Sequence, residues 1–325
     1  SSQSGSLNLG NAAPYNLFVL ENFSSPSSDV EGRMAVGNNV FMSNYSVGYN
    51  QPADNYATQD VFVVGGNLTF LSGSVYNGNL VYGGSTNLPI NQVSVVGGVL
   101  RQDSVINFDS TSVALRTLAN QILLMPSTGS VTYEYGGIFL NGNNPITNVF
   151  HISAEKLSTA NDVQIFVPSS SVVLVNVYGE NVNWQGGFVV HGTTRNNVIF
   201  TFEAETINIH NIDVTASILA PFAALTFPSG VIHGQVVCKS MTGSGQFNYA
   251  PFLGNIPADS NYVNTAYVVS SSPVDPNSLN NSSTVGFTVT VNASNTGSTT
   301  EWNILPGSGS MWVMSAMMTD IVRNS

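Results

Sequence analysis

The most constraining feature of the sequence is a run of short apolar pieces cut by tight corners. Ser217-Ile-Leu-Ala-Pro221 is followed by Gly230-Val-Ile-His-Gly-Gln-Val-Val-Cys-Lys-Ser240 and Gly243-Ser-Gly-Gln-Phe-Asn248. Apolar pairs and triplets alternate with Gly, Asn, Ser or Pro every few residues, which suits short strands joined by turns and leaves no room for ordinary helices. A chain that turns this often and stays apolar between turns predicts a β-solenoid.

Related corners recur upstream. Gly pairs at 65–66, 83–84 and 97–98 step by 18 and then 14 residues, near the ~20-residue course of one solenoid turn. They are expected to stack. His191, His210 and His233 step by 19 and 23, so equivalent positions on successive turns predict a column of imidazoles. One segment breaks the period: Leu115, Leu118, Ile122 and Met125 lie at helical spacing between capping residues at Asp109 and a stop at Pro126. The spacing predicts a flanking helix over about 110–125, its apolar stripe laid on the solenoid. Residues 151–162 read as a loop or a single helical turn.

Charge is scarce. Asp, Glu, Lys and Arg make up 8% of the 325 residues, against roughly a quarter in ordinary globular proteins. Ser, Thr, Asn, Gln and Gly must therefore cover the surface. The net charge of −11 reflects two lysines and five scattered arginines, which argues against nucleic acid as a partner because phosphate neutralisation needs clustered bases. No run approaches the ~18 apolar residues of a membrane span. Cys238, the only cysteine, sits in an apolar run and reads as a buried small hydrophobe. The Ser-rich start reads as the end left after a signal peptide is removed. Sequons at Asn22, Asn44, Asn67, Asn280, Asn281 and Asn292 fit a secreted glycoprotein.

The character changes after residue 256. Residues 257–325 begin with a Ser/Asn/Pro-rich linker, then carry Thr284–Asn292, which alternates as a strand, and an apolar stretch over Met311–Val322. Apolar strands of this kind need a cover. Phe287, Val289, Val291, Trp302, Met311, Trp312, Met314 and Met317 are the residues expected to complete the sheet edge of a neighbouring molecule.

Residues 7–255 resemble the choice-of-anchor A domain, an adhesive β-helix of extracellular proteins. The resemblance rests on Leu9-Gly-Asn-Ala-Ala-Pro-Tyr-Asn-Leu-Phe-Val-Leu20, Ser28-Asp-Val-Glu-Gly-Arg33, Ala35-Val-Gly-Asn-Asn-Val40, Ser43-Asn-Tyr-Ser-Val-Gly48, Val163-Gln-Ile-Phe-Val-Pro168, Leu174-Val-Asn-Val-Tyr-Gly179 and the stretch from Ser217 to Phe252. It implies a secreted or surface-displayed adhesive module and brings no catalytic residues or cofactors with it. A helix beside a β-helix, opened by Leu9-Gly-Asn-Ala12, is also similar to ice-binding solenoids.

Asp29 and Glu31 share a strand face with Arg33 and are expected to pair with it rather than act as an acid/base or metal site. The four histidines lack Cys, Asp or Glu at ligand spacing, so no metal is expected. Glu203 and Glu205 lie on one face of an expected strand, yet no companion Asp or Lys cluster supports polysaccharide cleavage. Tyr45, Tyr49, Tyr56, Tyr76 and Tyr82 offer a surface for sugar stacking. Ice binding calls for a Thr-x-Thr array on successive turns, and Thr288-Val-Thr290, its clearest instance, lies outside the solenoid.

The expectation is an all-β chain: a right-handed β-helix (β-solenoid) with one flanking helix over 1–256 and a C-terminal strand extension over 257–325. It reads as a non-enzymatic extracellular or cell-surface structural protein that assembles with itself into a filament or layer. A monomeric adhesin binding glycan, matrix protein or ice through a solenoid face is the alternative, and a polysaccharide-active enzyme the second.

Overall fold

A computed structural model describes residues 6–51, 58–258, 262–266 and 285–289. The chain forms a parallel β-solenoid with three faces. Each turn between the lowest and the topmost contributes a strand to each face, and the corners fall where the sequence places Gly, Asn, Ser or Pro.

The spatial order of the turns is not the chain order. On the first face Thr147–Ser153 lies lowest, followed upward by Val172–Tyr178, Val198–Phe202, residues 217–220 and residues 236–238. The strand above 236–238 is then Leu17–Val19, from the N-terminal part of the chain. Met34–Val36, Asp60–Val64, Asn79–Tyr82 and Leu100–Gln102 continue upward. Thus 17–102 forms the upper half and 147–248 the lower, with a parallel seam between 236–248 and 17–30.

Register aligns side chains along the solenoid. Phe150, Val175, Phe200, Ile218, Val236, Leu17, Met34, Phe62 and Leu80 form one inward column and are all buried. Burying each such side chain contributes about 1.5–3 kcal/mol. Cys238 is buried in the same core, and burial pushes its thiol pKa up, as expected of a small inert hydrophobe.

The chain returns from top to bottom through helix α1, Phe108–Leu123. Asn107 caps it, accepting the Ser110 N–H at 3.0 Å. Leu115, Leu118, Ile122 and Met125 are buried, as their spacing predicts, against outward residues of the first face such as Phe18, Ala35, Val63, Leu219 and Val237. A second helix, α2, is a short piece at Ala154–Thr159.

The glycine pairs divide. Gly37, Gly65 and Gly83 stack at the corner between the first and second faces. A Cβ on Gly65 would lie 2.3 Å from the Gly37 carbonyl oxygen, and one on Gly83 2.3 Å from that of Gly65. Gly98 belongs to another corner, where its Cβ would meet the Gly78 carbonyl oxygen at 2.1 Å. The 18-residue step is one turn, whereas the 14-residue step passes from one corner to a different one.

The lower end is finished by the chain itself. Thr128 and Gly129 donate N–H bonds to the Val149 carbonyl, at 2.9 and 3.1 Å, and Val149 donates to Thr128 Oγ1 at 2.9 Å. α2 packs beside Asn181–Trp184 at the foot of the second face. On the third face Ser130–Glu134 runs antiparallel to Gly137–Asn141.

Beyond the solenoid, Val285–Val289 pairs antiparallel with Tyr262–Ala266 of the same chain. Phe287 pairs with Asn264 and Val289 with Tyr262, which gives Val285–Val289 a partner along one of its edges. Val291, Trp302, Met311, Trp312, Met314 and Met317, with Asn280, Asn281, Asn292 and Tyr56, lie outside the described residues.

Candidate functional site

The second face carries the most regular surface in the solenoid. Strand alternation sends every other side chain outward, so each turn displays two residues with one between them that is buried in every turn but the topmost, where Thr86 is exposed. From the bottom the outward pairs are Asn181 and Asn183, Thr206 and Asn208, Ala224 and Thr226, then Ser240 and Thr242. Across the seam follow Asn22 and Ser24, Asn39 and Phe41, Asn67 and Thr69, then Ser85 and Asn87. Fourteen of these sixteen positions are Asn, Ser or Thr, the exceptions being Ala224 and Phe41, and none is charged.

Part of this array is locked by bonds between turns. Asn22 Oδ1 accepts the Asn39 N–H at 3.1 Å, Asn39 Oδ1 accepts the Asn67 N–H at 3.0 Å, and Asn67 Oδ1 accepts the Ser85 N–H at 2.8 Å. Lower down, Thr206 Oγ1 donates to Asn181 Oδ1 at 2.6 Å and Asn208 Nδ2 to Asn183 Oδ1 at 3.1 Å. These ladders fix the side chains before any ligand arrives. The hydroxyls of Thr226, Thr242 and Thr69 make no such bond and stay available.

No described turn carries Thr-x-Thr. The array is instead a mixed Asn/Thr/Ser lattice, with turns about 4.8 Å apart and outward neighbours about 7 Å apart along each strand. Two of the sequons, Asn22 and Asn67, are rungs of its ladder. Asn44 adopts φ +47° and donates from Nδ2 to Ser27 Oγ at 2.9 Å.

The other sequence candidates disperse. Arg33 does not pair with Asp29 or Glu31: it donates to the Asp60 carbonyl at 2.9 Å and lies over the Tyr15 ring, 4.6 Å from its centroid. The strand carrying Asp29 ends at Val30, and the turn beyond it swings Arg33 away. Glu31 accepts from Tyr49 Oη at 2.9 Å and from the Tyr249 N–H at 2.7 Å. Desolvation and the bond to Glu31 push the Tyr49 pKa up to about 12. Asp29 is raised by burial and by the Glu31 charge beside it.

The histidines do not form a column. His191 stacks on Phe166 with centroids 4.4 Å apart, His210 lies 3.1 Å from Asn183 Oδ1, His233 lies 3.0 Å from Asp213 Oδ1, and His151 meets the Met125 carbonyl at 2.7 Å. Their sequence steps resemble a turn length, but they fall at different places along the turn. Among the described residues no three His, Cys, Asp or Glu gather as metal ligands. Glu203 and Glu205 sit in the corner after Val198–Phe202 rather than on a strand, and Glu203 Oε2 accepts the Gly179 N–H at 2.8 Å.

The tyrosines form no common platform either. Tyr45 is buried in the core and Tyr82 packs partly against it, whereas Tyr49 and Tyr76 lie near the third face. An open groove of about 430 Å³ lies between the start of α1 and the Gly37–Gly65 corner. It lies off the second face.

The solved ice-binding protein of the Antarctic ascomycete Antarctomyces psychrotrophicus is similar at 11% identity and a TM-score of 0.41, over 76% of this chain and 99% of that one. The Shewanella frigidimarina ice-binding protein domain is similar at 9% identity and a TM-score of 0.41, over 76% and 98%. An ice-binding protein from an Arctic yeast gives 12% and 0.40, over 76% and 96%. No curated protein matches the sequence. A family model described as "Putative Ice-binding-like adhesive domain" matches residues 8–249, in agreement with the adhesive type of domain that the sequence resembles. By that match, which covers the whole solenoid, the chain belongs to the ice-binding-like adhesive domain family.

Proposed function

We propose that this chain is an extracellular adhesive domain that holds an ordered solid surface, ice above all, through its second face. The observation that carries this reading is the eight-turn array of small uncharged polar side chains, in register and pre-bonded. A single hydroxyl or amide contact is worth only about 1 kcal/mol net. A rigid array makes many at once without the ordering cost that a mobile surface would incur, and uncharged groups are cheaper to desolvate than ions. The same logic explains the scarcity of charge in the sequence.

Family membership supports the reading, and an extracellular setting fits an adhesive domain of this type. Assembly into filaments through donated C-terminal strands has less support, because Val285–Val289 is already paired within its own chain. The test is incorporation into slowly growing ice, with recrystallisation inhibition as a second readout. Thr226→Tyr and Thr242→Tyr raise bulk in the middle of the array and are expected to abolish both, while Val189→Tyr, on the third face, leaves them intact. A wild-type protein excluded from ice rejects ice as the ligand. Activity that survives Thr226→Tyr and Thr242→Tyr rejects this face.

A further inference from the structure

The two ends of the solenoid differ. The lower end is closed on two faces: residues 125–129 bond to Thr147–Ser153 on the first, and α2 lies beside Asn181–Trp184 on the second, where Ser158 Oγ accepts the Asn183 N–H at 2.9 Å; on the third, Ser130–Glu134 pairs with Gly137–Asn141 alone. At the upper end Thr86–Asn87, Val93–Val96 and Leu100–Gln102 each pair with the strand below and, among the described residues, with nothing above. The inward column that begins at Phe150 ends in Leu100, which sits over fully buried Leu80 but is itself 42% exposed. Val99 before it is 58% exposed, and Ile90, in the turn that leads to Val93–Val96, is 88% exposed. Unpaired strand edges over an open apolar core are a template for further strands.

We propose that the upper end pairs with the upper end of a second copy of this chain, giving a closed two-fold dimer. Three observations select this occupant. Head-to-tail stacking would have to displace the bonds from residues 128–129 on the first face and α2 on the second, whereas two upper ends meet with nothing to displace among the described residues. Under a two-fold axis the same edge strand of each copy runs antiparallel to its mate, an allowed ladder. Charge permits the approach: in a chain of net −11, residues 83–107 hold one Arg and one Asp. Those two face each other, with Arg101 Nε 3.5 Å from Asp103 Oδ2, and Arg101 also clasps Asp60. Two copies therefore meet at this end without like-charge repulsion.

The experiment is light scattering coupled to gel filtration on the full chain across a dilution series, with amide hydrogen exchange on the same samples. A mass of twice 34.4 kDa is expected at the concentrated end, halving in Ile90→Lys and in Leu100→Lys. Amides of 93–102 are expected to be protected in the dimer and to lose that protection on dilution. Should Leu100→Lys lose its β-sheet circular dichroism, Ile90→Lys, whose side chain lies almost wholly in solvent, carries the test. A monomer at every concentration overturns the proposal, as does a dimer that both variants leave intact. An open-ended polymer overturns it too, because a two-fold contact closes.

Discussion

The seam between the two halves of the solenoid rests on Asn16, and its removal should be costly. Asn16 is fully buried. Its Nδ2 donates to the Gly234 carbonyl at 2.8 Å and to the Asn248 carbonyl at 3.1 Å, while its Oδ1 accepts the Gly32 N–H at 3.1 Å. Two of these bonds tie the upper half to the lower. Three bonds at about 1 kcal/mol each give roughly 3 kcal/mol for Asn16→Ala. The orphaned groups add to this, since water does not reach a site of zero exposure and an unpaired buried group costs about 1–3 kcal/mol. The total is about 4–6 kcal/mol, at the high end for a point substitution. Asn16→Asp keeps the shape but replaces the donor with an oxygen facing two carbonyls. Only its protonated form can donate, so its folded pKa is raised and its stability falls as pH rises through that value. Urea unfolding followed by circular dichroism at pH 4 and pH 8 measures both. A loss below about 1 kcal/mol in Asn16→Ala, or a loss in Asn16→Asp that does not grow with pH, refutes the account of the seam. Gln235 reinforces it, donating from Nε2 to the Ala13 and Tyr15 carbonyls at 2.7 and 2.9 Å. A double-mutant cycle with Asn16 should therefore show coupling.

Two further perturbations test the packing and the charge. Gly65→Val places a branched side chain where a Cβ already meets the Gly37 carbonyl oxygen at 2.3 Å, and overpacking of this kind costs about 1–3 kcal/mol; an unchanged melting temperature would show that the corner stack is not tight. Burial works to raise the Asp60 pKa, but the bonds from Arg101 at 2.6 and 2.9 Å and from Asn79 at 3.0 Å outweigh it and hold the carboxyl below its usual value. A depressed folded pKa gives stability that is present above the unfolded value of about 3.9 and lost as pH falls through the folded one. Urea midpoints below pH 4 should therefore fall more steeply in the wild type than in Arg101→Gln, and equal slopes would count against the clamp.

The local sequence was enough for the class of fold. Corner residues every few positions forbid long elements, and the stripe of Leu115, Leu118, Ile122 and Met125 has helical spacing, so strands, corners and one flanking helix follow from short-range chemistry. Scarcity of charge likewise announced a surface of Asn, Ser and Thr. Stacking order was not legible, because it depends on contacts between residues more than 200 positions apart, such as Asn16 with Gly234 and Asn248. The misread histidine and Gly97–Gly98 steps have the same origin: a sequence interval measures distance along a turn only when corner lengths are constant, and here they vary. The tertiary structure alone decided the candidate site. Its outward pairs come from two stretches of chain, 181–242 and 22–87, whose register is set by burying the apolar residue between the members of every pair but the topmost. Joined across the seam, they become one surface, while in the sequence they are isolated polar residues with no common period.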